Sequence, residues 1–207
     1  MERILLHGLG QGPESWKNML DMLPDGAGIL CPDLFADCPE PVYDRLYQTV
    51  CRICGDCCGP VHLGGLSLGA MLALDYALHH PEKTASLLLI APQYRTPTGL
   101  LRLQNAVFHL LPERAFRDTG LTKRAVLRLS GSMEKLDLSE MLGALTCPAL
   151  IVCGERDRAN RRAARELADR LPARLHWIGG SGHAVNTEAP EALAREAERF
   201  CKREGGF

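Results

Sequence analysis

Six short apolar runs punctuate this chain, at residues 3–6, 28–31, 61–64, 86–90, 149–153 and 174–178. Each is too brief for a helix and is bounded by Gly, Pro or Asp, and helical patterns lie between them. Near-continuous apolar runs of this length are what strands buried on both faces require. Alternation with helices then specifies an α/β fold: a three-layer α/β/α arrangement of about six mainly parallel strands. Among the helical stretches, residues 68–79 are strongly apolar and stop before Pro81, which cannot continue a helix. Residues 160–171 are rich in Arg and Ala, with one exposed face. A last helix starts near Pro190, a favoured first-turn residue, and sets Leu193, Ala197, Phe200 and Cys201 on one stripe.

The rhythm breaks between Pro92 and Cys147. Here the pattern is helical only, over 100–111, 122–129 and 133–145, separated by Pro112, Gly120 and Gly131. This predicts a core made of residues 1–91 and 148–207 and a helical lid inserted at 92–147, above the strand ends. The 207 residues are one domain's worth.

Bulk charge excludes some partners. A formal net charge of −1 offers no global basic surface for nucleic acid. No apolar run approaches the ~20 residues that span a bilayer, and the run after Met1-Glu2-Arg3 is too short for a signal peptide. The expected setting is cytoplasmic, without membrane attachment; oligomeric state is not legible. Of the nine cysteines, Cys51, Cys54, Cys57 and Cys58 crowd together with C-x-x-C gaps. Adjacent Cys57 and Cys58 fit a four-ligand metal knuckle poorly, and no second C-x-x-C or H-x-x-x-H pair accompanies them. A helix ending in a glycine-flanked turn, with small thiols facing the core, is the preferred reading. No metal and no cofactor are expected.

The chemistry-bearing signal is Gly65-Leu66-Ser67-Leu68-Gly69, a G-x-S-x-G sequence directly after one predicted strand and directly before a predicted helix. A serine presented on such a turn projects its hydroxyl above the sheet, and glycines two before and two after allow the crowded chain to pass. The helix from Leu68 aims its N–H groups at developing negative charge. The glycines do not follow G-x-G-x-x-G and no Walker Lys follows, which argues against a nucleotide-binding turn.

A serine hydroxyl needs a base to take its proton. Of seven histidines, His183 is best placed, in Gly179-Gly180-Ser181-Gly182-His183 after the last predicted strand. His62 and His176 alternate within strands, His79 and His80 end a helix, and His109 belongs to the lid. The residue that orients the base is expected after the strand 149–153, where Asp157 is the natural candidate and Glu155 its local competitor. Two N–H donors must also face the oxyanion of the tetrahedral intermediate, each worth about 3–4 kcal/mol. The backbones of Leu9, in His7-Gly8-Leu9-Gly10, and of Leu68 fit that role.

Taken together these residues resemble the α/β-hydrolase superfamily. The matching pieces are His7-Gly8-Leu9-Gly10 with Trp16 downstream, Gly65-Leu66-Ser67-Leu68-Gly69-Ala70, His80-Pro81-Glu82, Gly154-Glu155-Arg156-Asp157 and Gly182-His183. The order Ser67, Asp157, His183 is that family's order. The resemblance implies a triad of Ser67, Asp157 and His183 at the strand carboxyl ends and a lid after the strand 86–90. Family members usually carry an antiparallel hairpin before the strand matched by 3–6, which this chain starts too late to have.

The implied activity is that of a serine hydrolase forming an acyl-enzyme on Ser67, with a small or medium carboxylic ester as first expectation. Ser67 argues against the dehalogenases and epoxide hydrolases of the family, which generally place Asp there. An acyl thioesterase or carrier-linked methyl esterase is the alternative, as is a lyase like that of the menaquinone pathway, or a binder without turnover. Apolar lid residues (Leu100, Leu101, Leu103, Val107, Phe108, Leu110, Leu111) suit an acyl pocket as well as ordinary packing. Basic lid residues (Arg102, Arg114, Arg117, Lys123, Arg124, Arg128), against Glu113 and Asp118, suit an anionic substrate, or simply a solvated helix face.

Overall fold

The computed structural model describes residues 1–24, 26–36, 38, 40–96, 99, 109–114, 116 and 120–205. Its strands are β1 (Arg3–Leu6), β2 (Ile29–Leu30), β3 (Val61–Leu66), β4 (Thr84–Ile90), β5 (Ala149–Gly154) and β6 (Ala173–Ile178). They form one six-stranded sheet in the order β2-β1-β3-β4-β5-β6. Every pairing in it is parallel. The helices are α1 (Lys17–Leu20), α2 (Tyr43–Gly55), α3 (Leu68–His79), α4 (Lys123–Ser132), α5 (Arg161–Arg170), α6 (Val185–Glu188) and α7 (Pro190–Glu204).

Successive strand residues point to opposite faces, and the two halves of the core follow that alternation. Ile4, Leu6, Leu63, Leu87, Leu89, Ala149, Ile151 and Cys153 join one cluster, with residues of α2, α3 and α5. Leu5, Leu66, Leu88, Ile90, Leu150 and Val152 join the other, with Met19 of α1 and Leu193, Ala197 and Phe200 of α7. The three layers expected from the apolar runs are therefore present. Leu68 to Leu78 of α3 are buried throughout, which is why that segment is apolar on every side rather than striped.

The cysteine-bearing segment is α2, whose buried face is Tyr43, Leu46, Val50 and Cys54. Cys57, just past its end, donates from Sγ to Glu2 Oε2 at 2.8 Å and to the Ile53 carbonyl at 3.3 Å. Burial pushes the Cys54 thiol up to about 12 and that of Cys57 up to about 11. Both are protonated core residues at neutral pH.

Inside the insertion the sequence expectations fare unevenly. The helix expected at 122–129 is α4, with Thr122 Oγ1 accepting from Ala125 N at 3.2 Å as its cap. The helix expected at 133–145 is absent. There the chain makes an isolated antiparallel bridge between Arg95 and Asp137 and a short 3-10 turn at Leu142–Ala144. Thr96 N donates to Leu136 O at 2.9 Å and Leu138 N to Tyr94 O at 2.8 Å. Asp137 Oδ1 also accepts from Ser139 N at 2.8 Å, the Asx turn that competes with helix. Leu138, Leu142 and Leu145 are buried in the main core; their spacing imitates a helical stripe but arises from three separate turns. Residues 100–108, where a lid helix and most of the apolar lining are expected, lie outside the described residues. Leu110 and Leu111, which adjoin them, are exposed. No helix among the described residues is long and apolar enough to cross a membrane.

Candidate active site

Ser67 stands where β3 turns into α3, at φ 54° and ψ −106°. A non-glycine residue there carries strain of about 1–3 kcal/mol, held only by surrounding structure. That structure is visible. Ser67 N donates to Ile90 O at 2.9 Å and its carbonyl accepts from Met71 N at 3.0 Å. A Cβ on Gly65 would stand 2.6 Å from the Gly69 carbonyl oxygen, and one on Gly69 would overlap the Leu6 carbonyl. The two glycines are thus demanded by close passage of backbone on either side of the turn. Ser67 Oγ carries no hydrogen bond among the described residues.

Asp157 follows β5 and is buried. Its Oδ2 lies 2.8 Å from His183 Nδ1 and 2.8 Å from Asn160 Nδ2. Asn160 Oδ1 in turn accepts from Gln93 Nε2 at 2.7 Å, which fixes the amide so that its NH2 faces the carboxylate. Burial works to raise the Asp157 pKa, but the hydrogen bonds from His183 and Asn160, together with the His183 charge, outweigh it and hold the carboxyl below the usual range. Asp157 is therefore ionised at neutral pH and can accept a hydrogen bond from His183 Nδ1–H, the tautomer in which Nε2 is an acceptor. Glu155, the competing acid, instead accepts from Gly180 N at 3.3 Å.

The His183 loop is stitched from below. Glu188 accepts from Gly182 N at 2.5 Å and from Ala184 N at 3.1 Å, one donor on each side of His183. Gly154, at the end of β5, lies against the same loop: a Cβ there would overlap the Gly182 carbonyl oxygen and stand 2.5 Å from that of Ser181. Gly154→Ala is accordingly expected to displace His183 without altering any polar group of the site. Misplacement of a reacting group by about 1 Å costs on the order of 100-fold in rate, so any activity that uses His183 should fall by about that factor. Activity within threefold of wild type would show that the loop yields without moving the imidazole.

Leu9 occupies the loop after β1. Its neighbour His7 is fully buried, with Nε2 accepting from Leu34 N at 3.0 Å and Nδ1 bonded to Gly8 O at 3.0 Å. This loop is joined to α6 by a reciprocal amide pair. Gln11 Nε2 donates to Asn186 Oδ1 and Asn186 Nδ2 to Gln11 Oε1, both at 3.1 Å. Leu68 opens α3, and the N–H groups of a first turn have no intrahelical acceptor. Phe116, Leu121, Ala125 and Val126, from α4 and the stretch before it, form a small apolar cluster that rests on Leu9 and Phe35. The described part of the insertion thus covers the β1 loop.

All the singled-out residues lie at the carboxyl ends of β1, β3, β5 and β6. The structure brings Asp157 and His183 into hydrogen bond and leaves Ser67 Oγ without a partner among the described residues. Of the other histidines, His62 is buried against Ser86 Oγ at 2.9 Å, and His109 is exposed. Asn160, Glu188 and Asn186 were not anticipated. A short polar residue three positions after Asp157, where α5 begins, is the one local signal that pointed to Asn160.

A family model described as "Alpha/beta hydrolase family" matches residues 4–196. The chain belongs to the α/β hydrolases. Among curated relatives of this α/β hydrolase, the pimeloyl-[acyl-carrier protein] methyl ester esterase of Aromatoleum aromaticum is 32% identical over 104 residues, 50% of this chain and 40% of that protein. The 2-succinyl-6-hydroxy-2,4-cyclohexadiene-1-carboxylate synthase of Salmonella arizonae is 38% identical over 77 residues, 37% of this chain and 29% of that protein. The matches therefore span less than half the length of either relative. Among solved structures, a thermophilic esterase from Thermogutta terrifontis superposes with a TM-score of 0.80 at 19% identity, over 98% of this chain and 90% of that one; at that identity the likeness is one of fold. Family membership fixes the fold and leaves the activity and its substrate open.

Proposed function

We propose that this α/β hydrolase cleaves a small or medium carboxylic ester through an acyl-enzyme on Ser67. The observation that carries the reading is the buried Asp157 carboxylate 2.8 Å from His183 Nδ1, which leaves Nε2 to act as a base at the sheet end where Ser67 stands strained, its Oγ without a hydrogen bond among the described residues. Nucleophile and base are commonly apart in a free enzyme and close only around substrate.

In the proposed reaction His183 Nε2 takes the Ser67 Oγ proton as Oγ attacks the ester carbonyl carbon. The oxyanion so formed accepts from the N–H groups of Leu9 and Leu68. Nε2–H then protonates the leaving alkoxide as the C–O bond breaks. Water, deprotonated by the same nitrogen, attacks the acyl carbon, and Ser67 leaves with the proton returned. Asp157 remains ionised throughout and stabilises the imidazolium. No cofactor enters these steps.

Intact-mass measurement after fluorophosphonate treatment tests the reading, alongside turnover of short p-nitrophenyl esters. One adduct per chain, with saturable ester hydrolysis, is the expected result. A folded protein that takes no adduct and does not hydrolyse these esters would remove Ser67 as an activated nucleophile. The names of the two relatives favour a second reading, in which the same groups act on a carrier-linked methyl ester or thioester, or abstract a proton as in a lyase. A carrier-dependent enzyme loses rate steeply as salt screens its partner, whereas a dedicated lyase turns over p-nitrophenyl esters poorly.

A further inference from the structure

The chain around and after Asp157 carries Arg156, Arg158, Arg161, Arg162 and Arg165 within ten residues, in a protein whose net charge is −1. Four of these arginines, with Glu166, line a groove of about 430 Å³ along α5. Glu166 is already engaged: it accepts from Tyr94 Oη at 2.5 Å and Arg162 Nε at 2.7 Å. That leaves three guanidinium groups facing the groove with no carboxylate partner among the described residues. Arg161 and Arg165 both lie on the Trp177 ring, 5.4 and 5.3 Å from its centroid. Stacking on an indole holds a guanidinium's plane while leaving its edge donors free. The Arg158 side chain makes no hydrogen bond, ion pair or ring contact among the described residues, its backbone N–H alone donating, to Arg156 O at 2.9 Å, and it adjoins Asp157 in sequence.

A solvated helix face spreads its charges and pairs them at i,i+4 spacing, as Arg195 and Glu191 do on α7; on α5 Arg162 is so paired, with Glu166, whereas Arg161 and Arg165 are not paired with a carboxylate among the described residues. Here the like charges converge on one concavity, and two of them are held in place by an aromatic ring. Planar forks of this kind match phosphate oxygens in pairs. We propose that the α5 groove binds a phosphate-bearing handle of the enzyme's small-molecule substrate, through Arg158, Arg161 and Arg165. As a statement about substrate this rests on the ester hydrolase reading; as a statement about anion binding it stands alone and is measured alone.

Trp177 is the reporter, since the other tryptophan, Trp16, is fully buried. The full chain is titrated with inorganic pyrophosphate at constant ionic strength while tryptophan emission is followed. A saturable change is expected, with Kd raised about tenfold in Arg158→Gln, the scale of one charge-assisted hydrogen bond. The Arg158 side chain has no polar or ring contact among the described residues to lose, so that variant is expected to fold as wild type does. Arg195→Gln removes the same charge elsewhere and should leave Kd unchanged. No saturable change, or equal weakening in both variants, would overturn the site. Tighter binding of an oligo-aspartate peptide than of pyrophosphate would also overturn it, by making the groove a surface for acidic protein. Fluorophosphonate labelling of the same samples separates the two readings: pyrophosphate binding without an adduct upholds the groove and sinks the esterase.

Discussion

On the proposed mechanism Ser67→Ala is expected to lower kcat on a short p-nitrophenyl ester by about 10⁵-fold or more, because removing one member of a concerted triad removes nearly all that such a triad supplies. His183→Ala should do nearly the same, and the double variant should be no worse than either single one. That non-additivity separates a serine and histidine acting as one unit from two residues that merely line a pocket. Stability gives the control. Ser67 Oγ has no hydrogen bond to lose among the described residues, so the melting temperature should stay near that of wild type. A loss under about 100-fold in Ser67→Ala would place the nucleophile elsewhere.

Asp157→Asn is expected to cost about 10⁴-fold in kcat, the scale seen when a triad imidazole is held in the wrong tautomer. The reason here is particular. Asn160 Nδ2 lies 3.0 Å from His183 Nδ1 as well as 2.8 Å from Asp157 Oδ2. In wild type the carboxylate accepts the hydrogen bond from Nδ1–H, and the amide donates to the carboxylate. With the charge gone, that amide is placed to donate to a bare Nδ1, and the ring proton moves to Nε2, where it blocks base catalysis. Removing the amide as well should therefore recover part of the activity, so that Asp157→Asn with Asn160→Ala exceeds Asp157→Asn alone. Nitrogen-15 spectra of the imidazole read the tautomer directly. If the double variant is the slower of the two, the account of Asn160 fails.

The parts legible in the sequence are those where one local rule acts without rivals. Strand β1 and helix α3 have the bounds that apolar runs and Pro81 dictate. The elbow glycines announce themselves because nothing larger fits. By contrast, Leu138, Leu142 and Leu145 suggested a helix because burial alone sets their spacing, and side-chain pairing by Asp137 decided otherwise. Strand β2 shrank to two residues at the sheet edge, where a single neighbour pairs with it. Glu188, Asn186 and Asn160 escaped for another reason. Their roles depend on partners that only the folded chain brings close, and a polar residue in isolation carries no sign of such a partner.

The Gln11–Asn186 pair has a consequence for the order of synthesis. It joins residues 175 positions apart, and His183 meets Asp157 from the same late segment. A nascent chain that has emerged as far as α5 already holds the serine turn and the whole insertion. It still lacks the imidazole and the amide that ties the β1 loop down. Contacts of such long separation form late and slowly, so the proposed hydrolytic competence should arrive abruptly with the segment around Val185 rather than build up during translation.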